Sequence, residues 1–329
     1  MRILLAHPRG YCAGVEMAIN SLEVALQRYG APLYVYHQIV HNTYLVDQFT
    51  ARGVVFVESV DDVPAGATLM YSAHGVAPDV RKAARAQQLN TIDATCPLVS
   101  KVHGEAIRYA RKGYTILLIG HQGHDEIVGV MGEAPYAIKL VQSVADVETL
   151  EVSEPERIAY LTQTTLSVAE KQHIEAALLR RFPHIEQPRT EDICYATQNR
   201  QFAVRELAPE AQLVVIIGSQ HSSNSRRLAD VAHEHGTPSR MIDGPEELQR
   251  HWFDDVGTVL LTAGASVPEV LVEETVAWLE QRFPVTIEER FVADESQLFH
   301  LPVELRRSRE TANYQSLTHL QELEKLTAT

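Results

Sequence analysis

The sequence predicts an α/β protein built from three related α/β units, set as a pseudo-threefold trefoil around a central site. Three observations predict it. Short β-branched runs alternate with helical patterns along the chain, the signature of parallel strands joined by crossover helices. The order of these segments repeats three times. Each repeat starts from one of only three cysteines, Cys12, Cys96 and Cys194, which are 84 and 98 residues apart.

The first unit, taken as residues 1–95, opens with the apolar strand "RILLAH" at its centre, next to Cys12. A helical stretch follows, then strand-like "PLYVYHQIVHNT", "VVFVESVDDV" and "TLMYSAHGV", a helix from "APDVRKAA", and "NTID" before Cys96. The second unit, 96–193, runs in the same order through "YTILLIGHQGHDE", "IKLVQSVADV" and "RIAYLTQTTLSV" to "RTEDIC". The third, 194–290, runs through "QLVVIIGSQHSSNS", "SRMIDGPEEL" and "TVLLTAGASVPE" to "VTIEER". Details recur as well: "VESVDDV" matches "VQSVADV", and "RRFP" at 180–183 matches "QRFP" at 281–284. Residues 291–329 form a tail, polar and helix-prone from Ser308, which reads as a short surface helix or an extension.

Composition excludes several classes. The 329 residues carry 29 Lys and Arg against 43 Asp and Glu, a net charge of −14. A basic face for broad nucleic-acid binding is not expected, although a local pocket for a small anion stays open. No apolar run reaches the roughly 18 residues that a membrane span needs, and "MRILLAHPRGYCAG" lacks an export-signal layout. A cytoplasmic protein, monomeric or weakly dimeric, is expected. Three cysteines in such a chain point away from disulfides and toward metal, catalytic or buried thiols.

Each cysteine falls where a strand hands over to the first helix of its unit. Ligands of open α/β sheets gather at the carboxyl ends of the strands, so three equivalent units would bring three thiols together. A helix N-terminus also favours the thiolate that ligates metal. The set fits an iron–sulfur cluster with one iron lacking a protein thiolate, a zinc ion with an open position, or three inert thiols. The wide spacing is unlike the close pairs of zinc ribbons.

The other strand ends should face the same centre. The second strands lead to His41, His124 and Ser222, which lie 29, 28 and 28 residues after their cysteines. The third strands lead to His74, to Thr164 and Thr165, and to Ser266. With Ser223 and Asn224, these imidazoles, hydroxyls and one amide can hold a phosphate or diphosphate without a large basic patch. Helix starts after "GSQHSSNS" and "GASVP" would add backbone N–H groups. Each Ser or Thr can also serve as an N-cap, and the two roles coexist. Glu126 stands two residues after His124. Burial beside an anion would bias it toward protonation, which suits a proton donor; Asp125 is the competing carboxylate.

The stretches "HPRGYCAGVEMAI", "SAHGV", "DATCPLV", "GHDEIVG", "TQTTLSV", "DICYATQNRQ", "GSQHSSNSRRL" and "AGASVPE" together resemble the 4-hydroxy-3-methylbut-2-enyl diphosphate reductases, the last enzymes of the methylerythritol phosphate route to isoprenoids. The resemblance runs in order over about residues 1–306. It implies a [4Fe–4S] cluster on Cys12, Cys96 and Cys194 with one open iron. It implies a diphosphate held by His41, His74, His124, Ser222, Ser223, Asn224 and Ser266. It implies proton delivery by Glu126, with Thr165 favoured over Thr164 as its companion near the substrate hydroxyl and His124 beside them. The products would be isopentenyl and dimethylallyl diphosphate. No G-x-G-x-x-G follows a strand, so an external donor of ferredoxin or flavodoxin type is implied. "FHLPVELRR" resembles the closing segment of that family, which packs back over the domains. The competing reading of the same residues is a zinc- or iron-dependent hydrolase or hydratase of a small phosphorylated metabolite.

Overall fold

The alternation of apolar runs and helical patterns is realised as twelve strands, all paired in parallel, in a computed structural model that describes residues 1–306. The chain runs through β1 (Arg2–His7), α1 (Ala13–Tyr29), β2 (Leu33–Tyr36), α2 (Thr43–Ala51), β3 (Val54–Val57), β4 (Thr68–Tyr71), α3 (Pro78–Ala86) and β5 (Asn90–Asp93). Next come α4 (Pro97–Arg111), β6 (Thr115–Ile119), α5 (Asp125–Glu133), β7 (Ile138–Val141), α6 (Val144–Thr149), β8 (Ile158–Thr162) and α7 (Val168–Arg181). The last stretch holds α8 (Tyr195–Leu207), β9 (Leu213–Ile217), α9 (Ser223–Glu234), β10 (Ser239–Ile242), β11 (Thr258–Ala263), α10 (Glu269–Glu280), β12 (Thr286–Phe291) and α11 (Val303–Arg306). The helix expected beyond Ser308 lies outside the described residues.

Three sheets result, ordered β3-β2-β4-β5, β7-β6-β8 and β10-β9-β11-β1-β12. In each, the first strand after the cysteine helix lies between the second and the third. The fourth place is where the sequence reading needs correction. The first strand, expected at the centre of a unit spanning 1–95, lies instead between β11 and β12, in the sheet of residues 213–291. β5, before Cys96, completes the sheet of the preceding unit, and β1, before Cys12, does this for the third, closing the ring. No strand precedes Cys194. Pro183 and Pro188 cannot donate to a ladder, and this segment gives only one parallel bridge, Glu186 to Ala159. Buried Asp192 takes over, accepting from the Thr162 N–H at 2.9 Å and from Lys101 Nζ at 2.9 Å.

The strands are apolar on both faces because helices cover both. In the five-stranded sheet, Leu4, Val214, Ile216 and Leu260 pack with Ala203 and Leu228 of α8 and α9. Ile3, Val215, Ile217 and Leu261 pack on the other face with Leu271 and Leu279 of α10. The period of two along each strand assigns the faces. The edge strand β12 is exposed and charged, which blunts edge-to-edge association. The closing segment returns to the first unit: Leu305 is buried in its core, and Arg28 donates to the Glu304 and Leu305 carbonyls at 3.1 and 2.9 Å.

Arg200, in "DICYATQNRQ", fastens these parts at the centre. Its fully buried guanidinium donates to the carbonyls of Gly10, Tyr11 and Ala196 and to Glu295 at 2.9 Å. It thereby joins the loop before α1, the start of α8 and the closing segment. Removing one partner of a buried, hydrogen-bonded ion pair costs about 3–5 kcal/mol. R200M is expected to lose that much in denaturant unfolding of the purified chain.

Candidate active site

The three cysteines occupy the same structural position, as N-caps of α1, α4 and α8. Their backbone N–H groups are held alike. Cys12 donates to the Ala265 carbonyl at 3.2 Å, Cys96 to Ala73 at 3.0 Å and Cys194 to Thr164 at 3.0 Å. Each acceptor lies two residues past the end of a third strand and immediately precedes Ser266, His74 or Thr165. The thiols and the polar strand ends are thus built from one set of backbone bonds, and a single cavity of about 680 Å³, partly open to solvent, receives them all.

Every candidate residue from the sequence lines this cavity: Cys12, Cys96, Cys194, His41, His74, His124, Glu126, Thr164, Thr165, Ser222, Ser223, Asn224 and Ser266. No lysine or arginine lines it among the described residues. The helix starts behave differently from one another. Ser222 caps α9 by accepting from the Ser225 N–H at 3.3 Å, and His124 caps α5 through Nδ1, accepting from the Glu126 N–H at 3.2 Å. The α10 start, expected to add N–H groups, is capped by Pro268, and neither Pro268 nor Glu269 lines the cavity.

The two neighbouring carboxylates divide cleanly. Glu126 is 2% exposed, and burial pushes its carboxyl up to about 7. The Thr164 N–H at 2.7 Å and hydroxyl at 2.9 Å donate to it and pull in the opposite direction. Thr164, rather than Thr165, is therefore the residue that meets Glu126. Thr165 accepts from Gln163 Nε2 at 2.8 Å and lines the wall. Asp125 lies outside the lining. Burial opposes its ionisation, but the His37 bond at 2.8 Å and nearby His74 hold it down at about 2.

Burial lowers all three cavity histidines, His124 to about 4, and so favours neutral imidazoles. His41 and His74 stack with ring centroids 4.1 Å apart and planes 19° from parallel. Together with Asp125 they bring three possible ligand atoms within 4.8 Å of one another. Imidazole lone pairs lie in the ring plane, and two nearly parallel planes this far apart do not meet within a metal–nitrogen bond of about 2.0–2.1 Å. The stacked pair is shaped to present N–H edges, not to chelate.

At Cys96 and Cys194 burial works against the pull of the helix start toward thiolate. Burial and the neighbouring Cys12 raise Cys96 and lift Cys194 to about 11. Deprotonation then belongs with metal binding. The donor set itself fits a thiolate-bound group: three thiols, no fourth cysteine and no disulfide. Gly14 makes room for it. A Cβ there would lie 2.6 Å from Cys96 Sγ and 3.9 Å from Cys12 Sγ.

Two residues of the site, Thr197 in the wall and Gln163 behind it, escaped the sequence reading. Buried Thr197 donates its N–H to Cys194 Sγ at 3.4 Å and accepts from Asn224 Nδ2 at 3.2 Å. Its place three residues after a capping cysteine was a readable signal. Fully buried Gln163 accepts from the His121 N–H at 3.1 Å and donates to Thr165 and Ser223, so it ties the second unit to the third. Only the fold reveals that role.

Comparison with known proteins follows the same lines. The sequence model of the LytB protein family matches residues 3–280. The chain belongs to the LytB family. A LytB relative from Rhodopirellula baltica, named 4-hydroxy-3-methylbut-2-enyl diphosphate reductase, is 53% identical over 93% of this chain and 96% of its own. One of the same name from Streptomyces coelicolor is 51% identical over 93% and 91%. The solved E-1-hydroxy-2-methyl-but-2-enyl-4-diphosphate reductase from Plasmodium falciparum superposes with a TM-score of 0.90 at 36% identity, covering 92% of this chain and 96% of that one. No helix among the described residues is long and apolar enough to cross a membrane.

The Gly14 contact carries a direct expectation. G14A pushes a methyl group against Cys96 Sγ, and the variant is expected to lose most of its bound iron and sulfide while its far-ultraviolet circular dichroism stays that of the wild type.

Proposed function

We propose that the chain reduces (E)-4-hydroxy-3-methylbut-2-enyl diphosphate to isopentenyl and dimethylallyl diphosphate, the last step of the methylerythritol phosphate pathway. The LytB family is one of iron–sulfur enzymes, and a [4Fe–4S] group on Cys12, Cys96 and Cys194 fits the donor set. The observation that carries the reading is one cavity holding three capping thiols, a cation-free anion set and a buried carboxyl raised to about 7. A metal hydrolase of a phosphorylated metabolite finds no support among these relatives, all named as reductases.

When bound, the cluster supplies electrons one at a time and Lewis acidity at the iron that lacks a protein thiolate. The chain supplies the rest. His41, His74, His124, Ser222, Ser223, Asn224 and Ser266 hold the diphosphate through N–H and O–H donors. Glu126, kept neutral by burial, gives its proton to the departing hydroxyl, which leaves as water. Thr164 holds the Glu126 carboxyl and is the companion that geometry favours, while Thr165 lines the wall with Gln163 behind it. Two electrons and a second proton complete the reduction, and the carbon that receives the proton decides the product. The electrons come from a reduced ferredoxin or flavodoxin type protein, and the chain works as a monomer or weak homodimer.

The test is the content of iron and acid-labile sulfide per chain purified without oxygen, followed by turnover with a strong reductant. About four of each is expected; one zinc without sulfide would overturn the redox reading. E126Q is expected to keep its cluster and lose about 10²–10⁴-fold in turnover, the range of a lost general acid. Since the raised carboxyl is protonated below about 7, wild-type turnover limited by this acid falls as pH rises through that value. A flat profile over that range in a steady-state assay would remove Glu126 from the rate-limiting step.

A further inference from the structure

Among the described residues no lysine or arginine lines the anion site, and burial favours the neutral form of its three imidazoles. A diphosphate carries several negative charges. Something has to balance them, and the charged side chain within 4 Å of both His41 and His74 is a carboxylate. Asp125 Oδ2 lies 3.8 Å from His41 Nε2 and 3.8 Å from His74 Nδ1, while Oδ1 accepts from His37 Nδ1 at 2.8 Å. The carboxylate belongs to the first turn of α5, in the second unit, and all three histidines belong to the first. His37 is itself fixed. It stacks on Tyr36 at 4.2 Å, adopts a φ of 55°, and approaches Glu58 at 3.6 Å through Nε2.

We propose that Asp125, oriented by His37, is a positioning residue of the anion site, balancing the charge that His41 and His74 acquire when they take up protons on binding a diphosphate. This rests on the assignment of these histidines to the diphosphate. An anion in the cavity favours imidazolium, and a carboxylate on another edge of the same rings favours it further. The stacked rings are thereby sandwiched between two anions, so proton uptake accompanies binding. Other charged or titratable groups acting on these rings are His37, His124, His221 and Arg226, and all of them disfavour protonation when charged. Asp125 is the carboxylate that opposes them at both His41 and His74. Simple electrostatics without proton uptake predicts the opposite outcome, since a carboxylate beside an anion site repels its ligand.

Isothermal titration of the holoenzyme with inorganic diphosphate, in two buffers of different ionisation enthalpy, separates the two. The wild type is expected to take up protons on binding at pH 8. D125N is expected to bind roughly tenfold more weakly there, the effect of one partly buried charge contact, with less proton uptake and a gap that closes toward pH 6. D125E, which keeps the charge, is expected to restore uptake. H74N serves as the control. Wild-type binding that H74N weakens, combined with D125N binding as tightly as wild type or tighter at pH 8, overturns this inference alone. No diphosphate binding by the wild type, or binding that H74N leaves unchanged, overturns the anion-site assignment and this inference with it.

Discussion

Three backbone hydrogen bonds carry the architecture of the site: Cys12 to Ala265, Cys96 to Ala73 and Cys194 to Thr164. Each ties the N-cap of one unit to the third-strand end of the preceding unit, the third unit preceding the first in the ring. The thiol and the polar residue next to the acceptor therefore cannot move independently. This is how a fold made of three separate sheets holds a trigonal donor set with little side-chain reinforcement. Thr197 beside Cys194 is one such side-chain addition. Gly14 is the matching concession in volume, since any side chain at that point of α1 would collide with the thiol of another unit.

Protonation in the cavity is governed by burial more than by charge pairing. Asp125 and Glu126 are adjacent in the chain and start the same helix, yet one is held ionised by a histidine and the other is pushed up to about 7 by desolvation. Two carboxyl groups pushed apart by their surroundings are the usual mark of divided acid–base roles. The helix turn accounts for the division: side chains one residue apart point about 100° away from each other, so Asp125 meets the first unit and Glu126 meets Thr164 of its own.

Much of this was legible in the sequence. The threefold order of strands, the three matched cysteines and the polar strand ends needed only segment order and spacing. What remained hidden depends on contacts between units. The exchange of β1 into the third sheet leaves no local trace, because "RILLAH" reads as a strand wherever it pairs. Thr164 and Thr165 differ by one residue, and only the direction of each side chain decides which meets Glu126. The missing strand before Cys194 was hinted at by Pro183 and Pro188, but the replacement by Asp192 depends on Thr162, thirty residues away. The raised Cys96 and Cys194 thiols follow from burial, which helix-start reasoning leaves out.

The place of β1 bears on how the chain reaches this state. It lies between β11 and β12, so residues 2–7 find their partners only after residues 258–291 have been synthesised. The second sheet, in contrast, is assembled from residues 115–162 alone. The first sheet is equally local, drawn from residues 33–93, so a chain emerging from the ribosome can complete these two sheets before the third. The third sheet must then wait with an open gap, and the cavity cannot form until the two ends of the described chain meet. Contacts of such sequence separation slow folding, and a half-made sheet edge is exposed in the meantime. Metal loading is accordingly a late event in the life of the polypeptide.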